Sequence, residues 1–151
     1  MSPVIELVRE HDLSDLLPLM RGYCDFYEVA PSDEGLLGLS RALLDDPLRE
    51  GIQLIARDLD SGAAIGFATI FWSWSTLNAG RIAVMNDLFV APEARGSGVA
   101  HGLIGACREH ARTHGALWLG WQTAHDNARA QRVYESVGAE RSEWIDYGLR
   151  P

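Results

Sequence analysis

The alternation of strand-like and helix-like stretches predicts an α/β (α+β) layered fold, in which helices on both faces cover a mixed, mostly antiparallel sheet. Two strand patterns, at residues 51–58 and 64–74, are joined through Asp-Ser-Gly, which is typical of an antiparallel hairpin. A strand-helix-strand crossover from residue 82 to residue 123 requires two parallel strands. Helices with one apolar stripe must bury that stripe against such a sheet. The predicted element order is therefore β-α-α-β-β-β-α-β-α-β.

The first half of the chain supplies a strand and two helices before the hairpin. Residues 4–9 alternate apolar and polar side chains, as a half-buried strand does. Ser14 can cap the next helix, and Pro18 would then lie in its first turn, where a missing N–H costs little. A second helix is predicted from about Ser32 to the Asp-Asp-Pro sequence at residues 45–47.

The second half contains the crossover and the end of the sheet. Residues 82–90 are apolar and β-branched enough for a buried strand, and Pro92 marks where ladder pairing should stop. An apolar series at helical spacing follows and ends at Gly115. Residues 117–123 are again strand-like. A shorter helix then precedes residues 141–149, for which the pattern predicts a final strand.

Size and charge indicate one ordinary globular domain, residues 1–151. The content of 47% hydrophobic and 23% charged residues is that of a soluble globule, and no stretch approaches the length of a membrane span. A net charge of −8 argues against a nucleic-acid partner, and it serves either solubility or a cationic substrate. Cys24 and Cys107 match no metal or redox spacing, so we expect small buried hydrophobes in a reduced, cytoplasmic protein.

Two glycines lie where the strand at residues 82–90 gives way to the central helix, in the sequence Arg-Gly-Ser-Gly-Val-Ala at residues 95–100. The free N–H groups and the dipole at a helix start attract anions, above all phosphates. Gly96 and Gly98 carry no Cβ, so that a ligand's oxygens can approach the backbone. The loop therefore suits a pyrophosphate, although by itself a Gly-x-Gly sequence is equally compatible with a tight turn.

A second informative stretch lies in the last predicted helix. Asn127 and Tyr134 are seven residues apart, which is about two helical turns, so they share a face. Considered alone, a tyrosine on an amphipathic helix is usually part of the core. His110 and His114 are four apart, but their sequence lacks the glutamate of a zinc protease and a third ligand, so we expect no metal.

Both stretches resemble motifs of the GNAT N-acetyltransferase superfamily. Arg95, Gly98 and Ala100 fill the three fixed places of its acyl-coenzyme A motif, Arg/Gln-x-x-Gly-x-Gly/Ala. Residues 127–139 are similar to Asn-x-x-Ala-x-x-x-Tyr-x-x-x-Gly-Phe, with Ala139 in place of the final aromatic residue. The resemblance extends to the predicted element order, so it covers nearly the whole chain.

The resemblance implies that acetyl-coenzyme A is the co-substrate. In this superfamily the loop amides hold the pyrophosphate, the preceding strand splays from its neighbour and pairs with the pantetheine arm, and the tyrosine protonates the leaving thiolate. Short sequences at residues 85–90 and 121–123 are most similar to the branch of histone and polyamine N-acetyltransferases. The implied coenzyme-binding residues are Leu88, Phe89, Val90, Arg95, Gly96, Ser97, Gly98, Val99, Ala100, Asn127, Ala130 and Tyr134.

The acceptor side is predicted less sharply. An amine is protonated at neutral pH and has no lone pair, so a base or a water chain must remove one proton before attack. Asp87 is the first candidate for the base, although a carboxylate there could equally be a structural acceptor, and Asp25 and Glu28 are weaker candidates. The aromatic and acidic run at residues 23–28 could hold an ammonium ion, or simply pack a helix end. The predicted acceptor-binding residues are Asp25, Tyr27, Glu28, Asn86 and Asp87.

Together these patterns predict an N-acetyltransferase that moves an acetyl group from acetyl-coenzyme A to a small primary amine, a polyamine or a lysine-like group by direct attack in a ternary complex. Tyr134 would be the general acid. The resemblance also suggests a homodimer. The alternative from another class is a non-catalytic acyl-coenzyme A-binding or regulatory domain.

Overall fold

The computed structural model describes residues 3–151, which form one five-stranded sheet with α-helices on both faces. The strands are β1 (Pro3–Leu7), β2 (Gly51–Asp58), β3 (Ala64–Ser75), β4 (Gly80–Val90) and β5 (Leu119–Gly120), and the helices are α1 (Leu13–Phe26), α2 (Asp33–Asp45), α3 (Val99–Thr113) and α4 (Ala128–Ser136). The strands lie in the order β1-β2-β3-β4-β5. Pairing is antiparallel up to β4 and parallel between β4 and β5, which confirms the predicted mixed, mostly antiparallel sheet.

Two apolar clusters form the core, one on each face of the sheet. On one face α1 packs against Ile55, Phe67 and Phe89, and α2 closes its edge. On the other face α3 contributes Leu103 and its neighbours, and α4 adds partly buried side chains. Side chains alternate along a strand, so adjacent residues of β2 and β3 point to opposite faces of the sheet. These two strands therefore contribute side chains to both clusters. Over the described range, every helix is too short to cross a bilayer.

The start of α1 differs from the prediction. Ser14 is not the cap, because a short 3₁₀ turn at Glu10–Asp12 leads directly into the helix at Leu13. Asp12 stabilises that turn by accepting the backbone N–H of Arg9 at 2.9 Å. Pro18 consequently lies inside the helix, where it removes one backbone donor. The second helix begins as predicted, since the Ser32 hydroxyl accepts the N–H of Gly35 at 3.0 Å.

The end of the sheet also differs. The strand predicted at residues 117–123 is reduced to Leu119–Gly120, and residues 139–151 adopt no regular secondary structure, so the predicted final strand is wrong. Trp144 and Ile145 are 81% and 76% exposed. A strand needs a partner edge, and the two-residue β5 offers almost none. A hydrogen bond of 2.6 Å from Gln122 Nε2 to Asp146 Oδ2 links this terminal segment to the chain after β5.

Candidate active site

A cleft opens where β4 and β5 separate. The two strands pair only through Ala83 with Leu119 and Val84 with Gly120. Beyond these pairs they diverge around a cleft of about 250 Å³, which is lined by Val84, Met85, Asn86, Trp121 and Gln122. Among residues 3–151, no other strand pairs with β4 on this side beyond Val84. The backbone of β4 is therefore open to an extended ligand, in the manner of an added strand.

A β-bulge beside the cleft sets the direction of two polar side chains. Thr69 of β3 is opposite Asp87, and the next residue of β3 is opposite Met85, so Asn86 is the additional residue in β4. A bulge bends a strand and redirects its side chains. Here Asn86 is exposed at the cleft while Asp87 lies on the face that carries α1.

Asp87 is a mostly buried carboxyl group with several hydrogen-bond donors around it. Asn86 Nδ2 donates to Asp87 Oδ1 at 3.0 Å. The hydroxyls of Thr69 and Tyr23 also lie within hydrogen-bonding reach. Burial raises the pKa of Asp87 above its ordinary value, and the neighbouring polar groups of Thr69, Tyr23 and Asn86 oppose that rise by stabilising the ionised form. A carboxyl group with a raised pKa in a cleft is a candidate for proton transfer.

Tyr134 is held on α4 beside the cleft. The helix begins where the Asn127 side chain accepts the N–H of Ala130 at 3.2 Å. The Tyr134 ring meets the Trp121 ring edge-on, with 5.3 Å between centroids. Burial raises the pKa of Tyr134, Tyr27 adds to the rise, and the nearby hydroxyl of Thr123 opposes it. Tyr134 therefore keeps its proton at neutral pH.

Groups from both faces of the sheet meet at the cleft. Tyr134 packs against the cluster on the α3 face. Tyr27, at the end of α1 on the other face, nevertheless influences the ionisation of both Tyr134 and Tyr23. Because β4 and β5 separate here, no part of the sheet lies between the groups of the two faces. The predicted base, Asp87, and the predicted acid, Tyr134, therefore both lie within electrostatic range of Tyr23.

The aromatic and acidic run at the end of α1 divides into two sides. Tyr23 and Tyr27 face the site, with ring centroids 5.1 Å apart, and the Tyr23 hydroxyl donates to the Asn86 carbonyl at 3.2 Å. Asp25 and Glu28 are exposed, and within residues 3–151 neither forms a hydrogen bond or ion pair with Asp87. The sequence pattern placed Tyr23 in this run, but Tyr23 was not among the predicted acceptor-binding residues. Its position three residues after the buried Met20 would have placed it on the sheet-facing stripe.

The glycine loop has the geometry that an anion site needs. Gly96 and Gly98 have φ of 78° and 87°, and no atom lies within 4 Å of the position that a Cβ would occupy on either. Gly98 precedes the first turn of α3 and supplies no side-chain cap, so the first N–H groups of that helix lack an intrahelical acceptor. Arg95 anchors the loop by donating from Nε to the Val90 carbonyl at 3.0 Å. The Ser97 hydroxyl donates to the Ala94 carbonyl.

The histidines are engaged elsewhere. His114 stacks on Trp72 with 3.8 Å between centroids, and burial lowers its pKa. His101 Nε2 and Ser136 Oγ are 2.8 Å apart and connect α3 to α4. In the described part of the chain, no three His, Cys, Asp or Glu side chains converge as metal ligands would.

Comparison with known proteins gives a consistent result. The sequence matches the Acetyltransferase (GNAT) family over residues 17–139. It is 34% identical over 136 residues to the uncharacterized N-acetyltransferase YhfO of Bacillus subtilis (strain 168), covering 90% of this chain and 89% of the relative. It is 30% identical over 135 residues to the D-amino-acid N-acetyltransferase HPA3 of Saccharomyces cerevisiae, covering 89% and 83%. A solved structure described as a probable acetyltransferase has a TM-score of 0.83 and 30% identity, covering 100% and 98%.

Proposed function

The chain belongs to the GNAT family of acetyltransferases, and on this premise we propose that it acts as a single domain that transfers the acetyl group of acetyl-coenzyme A to a primary amine, by direct attack in a ternary complex. The observation that carries the proposal is the cleft between β4 and β5, because two of its lining residues contact the proposed acid and base: Asn86 donates to Asp87, and Trp121 packs against Tyr134. A partly buried acid and a partly buried base beside one cleft are suited to moving two protons in a single reaction.

The residues on the donor side fit a coenzyme A molecule. The open backbone of β4 at Leu88, Phe89 and Val90 offers hydrogen-bonding groups to a pantetheine arm. The amides from Gly96 to Ala100, at the start of α3, would hold the pyrophosphate, because positive φ at the glycines leaves space above the loop. Asn127 and Ala130 would border the arm from α4. The coenzyme supplies the activated thioester.

On the acceptor side, the side chains of this chain would handle the protons. Ionised Asp87 accepts a proton from the incoming ammonium group, directly or through a water molecule, so that the nitrogen gains its lone pair. Its raised pKa makes it a stronger base than an exposed aspartate. Tyr134 remains protonated and donates to the departing sulfur atom. Asn86 lies at the cleft and orients the acceptor with its amide and carbonyl groups.

The acceptor that fits best is a small cationic amine. The rings of Tyr23 and Tyr27 would cover its carbon chain, while the exposed carboxylates of Asp25 and Glu28 would attract its charge. A relative whose name is D-amino-acid N-acetyltransferase supports a small amine, and polyamine and lysine-like groups satisfy the same chemistry.

We extend the proposal to a cytoplasmic homodimer. The terminal segment at residues 139–151 exposes Trp144, Ile145 and Leu149, and a second copy would remove these apolar side chains from water. The free and buried thiols of Cys24 and Cys107 suit a reducing compartment. Sedimentation equilibrium tests the dimer, and a monomer at micromolar concentration would exclude it.

The direct test of the function is thiol release. Purified protein is mixed with acetyl-coenzyme A and a panel of amines that includes D-amino acids, polyamines and lysine peptides, and free coenzyme A is measured. We expect release with at least one amine. Tight coenzyme binding without release for any acceptor would instead support the non-catalytic binding domain.

A further inference from the structure

Three polar side chains form one row across the middle of the sheet. Gln53 of β2 is the cross-strand partner of Thr69 of β3, and Thr69 is the partner of Asp87 of β4. Partners in antiparallel strands have side chains on the same face, within about 5 Å of each other at Cβ. Their nearest core neighbours on that face, Ile55 and Phe67, are apolar. Gln53 and Thr69 are 4% and 0% exposed, so both lie inside the core.

The hydrogen bonds in this row have a defined direction. Gln53 Nε2 donates to Thr69 Oγ1 at 3.1 Å, and it also lies 3.7 Å from the sulfur atom of Met20. Because the Thr69 oxygen already accepts from Gln53, its own proton points to another acceptor. Strand register places the Asp87 carboxylate directly opposite Thr69, and the Thr69 hydroxyl favours its ionised form, so Asp87 is the acceptor at hand for that proton. Buried polar groups are costly unless they are paired, and this order of donors satisfies both Gln53 and Thr69.

We propose that Gln53 and Thr69 are positioning residues that direct one hydrogen bond to Asp87 and hold its carboxylate ionised and oriented toward the cleft. The proposal rests on the base role of Asp87 proposed above. Gln53 and Thr69 lie inside the core, whereas Asn86, the chain neighbour of Asp87, lines the cleft. The row therefore acts on the acceptor amine only through Asp87.

The other titratable groups facing Asp87 do not supply this effect. Tyr23 and Cys24 approach it from α1, and burial raises the pKa of both, so they stay neutral. The Tyr27 ring packs on Tyr23, and Tyr134 lies within electrostatic range of Tyr23. In residues 3–151, no arginine or histidine forms an ion pair with Asp87. Neutral hydrogen-bonding groups are thus what opposes the rise that burial causes in the pKa of Asp87.

The test replaces Thr69 by valine, which keeps the shape and removes the donor, and by serine, which keeps the donor. The titration of Asp87 is followed by carbon NMR of its carboxyl group, which is assigned from its absence in the Asp87→Asn spectrum. A hydrogen bond to a charged group is worth about one to two pKa units, so Thr69→Val should raise the Asp87 pKa by that amount. Thr69→Ser should retain most of the wild-type value, and Gln53→Met should give a smaller rise.

Kinetics separate this proposal from the proposed function. If Asp87 is the base, the acid limb of kcat/KM moves to higher pH by the same amount in Thr69→Val. Ser40→Ala is the matched control, because it removes a buried hydroxyl whose partner is Met20 and should move neither measurement. An unchanged Asp87 titration in folded Thr69→Val overturns the positioning role. If Asp87→Asn has wild-type turnover, the base role is overturned instead. The NMR titration then decides by itself whether Gln53 and Thr69 position Asp87.

Discussion

The donor and acceptor halves of the site are built in different ways. The main part of the proposed donor half is a continuous stretch from Leu88 to Ala100, and its geometry comes from the backbone: two glycines with positive φ and the start of α3. The acceptor half takes Tyr23, Asp87 and Tyr134 from three separate elements, and buried hydrogen bonds and ring contacts hold them. Changes in the donor half should therefore alter coenzyme affinity, whereas changes in the acceptor half should alter turnover and its pH dependence.

The largest effect is expected from removing the proposed general acid, Tyr134, from the acceptor half. Tyr134→Phe keeps the ring that packs against Trp121 and deletes the proton. Turnover should fall by about 10²–10⁴-fold, the contribution of a general acid, while the dissociation constant of coenzyme A stays the same. Thiol-release kinetics and calorimetry measure the two quantities. Unchanged turnover would remove Tyr134 from the proton transfer.

The next largest effect is expected from changing the backbone of the glycine loop in the donor half. Gly98→Ala places a Cβ on a residue with φ of 87°, which costs about 1–2 kcal/mol of strain and moves the loop, so coenzyme affinity should fall about tenfold. Gly138→Ala is a matched control, because Gly138 has φ of 79° and is equally open, but it follows α4. The Tm of both variants should fall by a similar amount. Equal affinity loss in both would show that strain alone, and not the anion site, is responsible.

The pH profile of kcat/KM sharpens the contrast between the two proton-transfer groups. Burial raises the pKa of Asp87, and a base works only when ionised, so activity should be lost as pH falls through a value above the ordinary aspartate range of about 4. Burial also raises the pKa of Tyr134, and an acid works only when protonated, so activity should persist up to about pH 10. An acid limb that is unchanged in Asp87→Asn would assign the base to another group.

The smallest effect concerns the exposed acids of the acceptor half. Asp25→Asn together with Glu28→Gln should raise KM for a cationic amine by about two- to fivefold at low salt with kcat unchanged, because exposed charges steer weakly and are screened. Asp60→Asn, in the β2–β3 turn, is the control and should change nothing. The effect should vanish in high salt, and a KM unaffected at low salt would leave these acids without a role in acceptor binding.

Much of the fold could be predicted because it follows from local patterns. The hairpin, the crossover and a second helix starting at about Ser32 were all evident from spacing and turn residues, and the structure confirms them. The start of α1 was missed because Asp12 and its partners, not Ser14, organise that turn. The strand predicted at residues 141–149 was wrong because alternation marks a strand only where an edge is available to pair with it.

By itself, the sequence determined the local geometry of the glycine loop, since glycines before an amphipathic helix create open amides wherever that helix forms. Only the tertiary structure decided the acceptor half. The meeting of Gln53, Thr69 and Asp87 depends on strand register and on one bulge, and the approach of Tyr23 depends on how α1 packs on the sheet. The physical reason is distance along the chain: a helix start is local, whereas a hydrogen bond between residues far apart in sequence exists only after the sheet has formed.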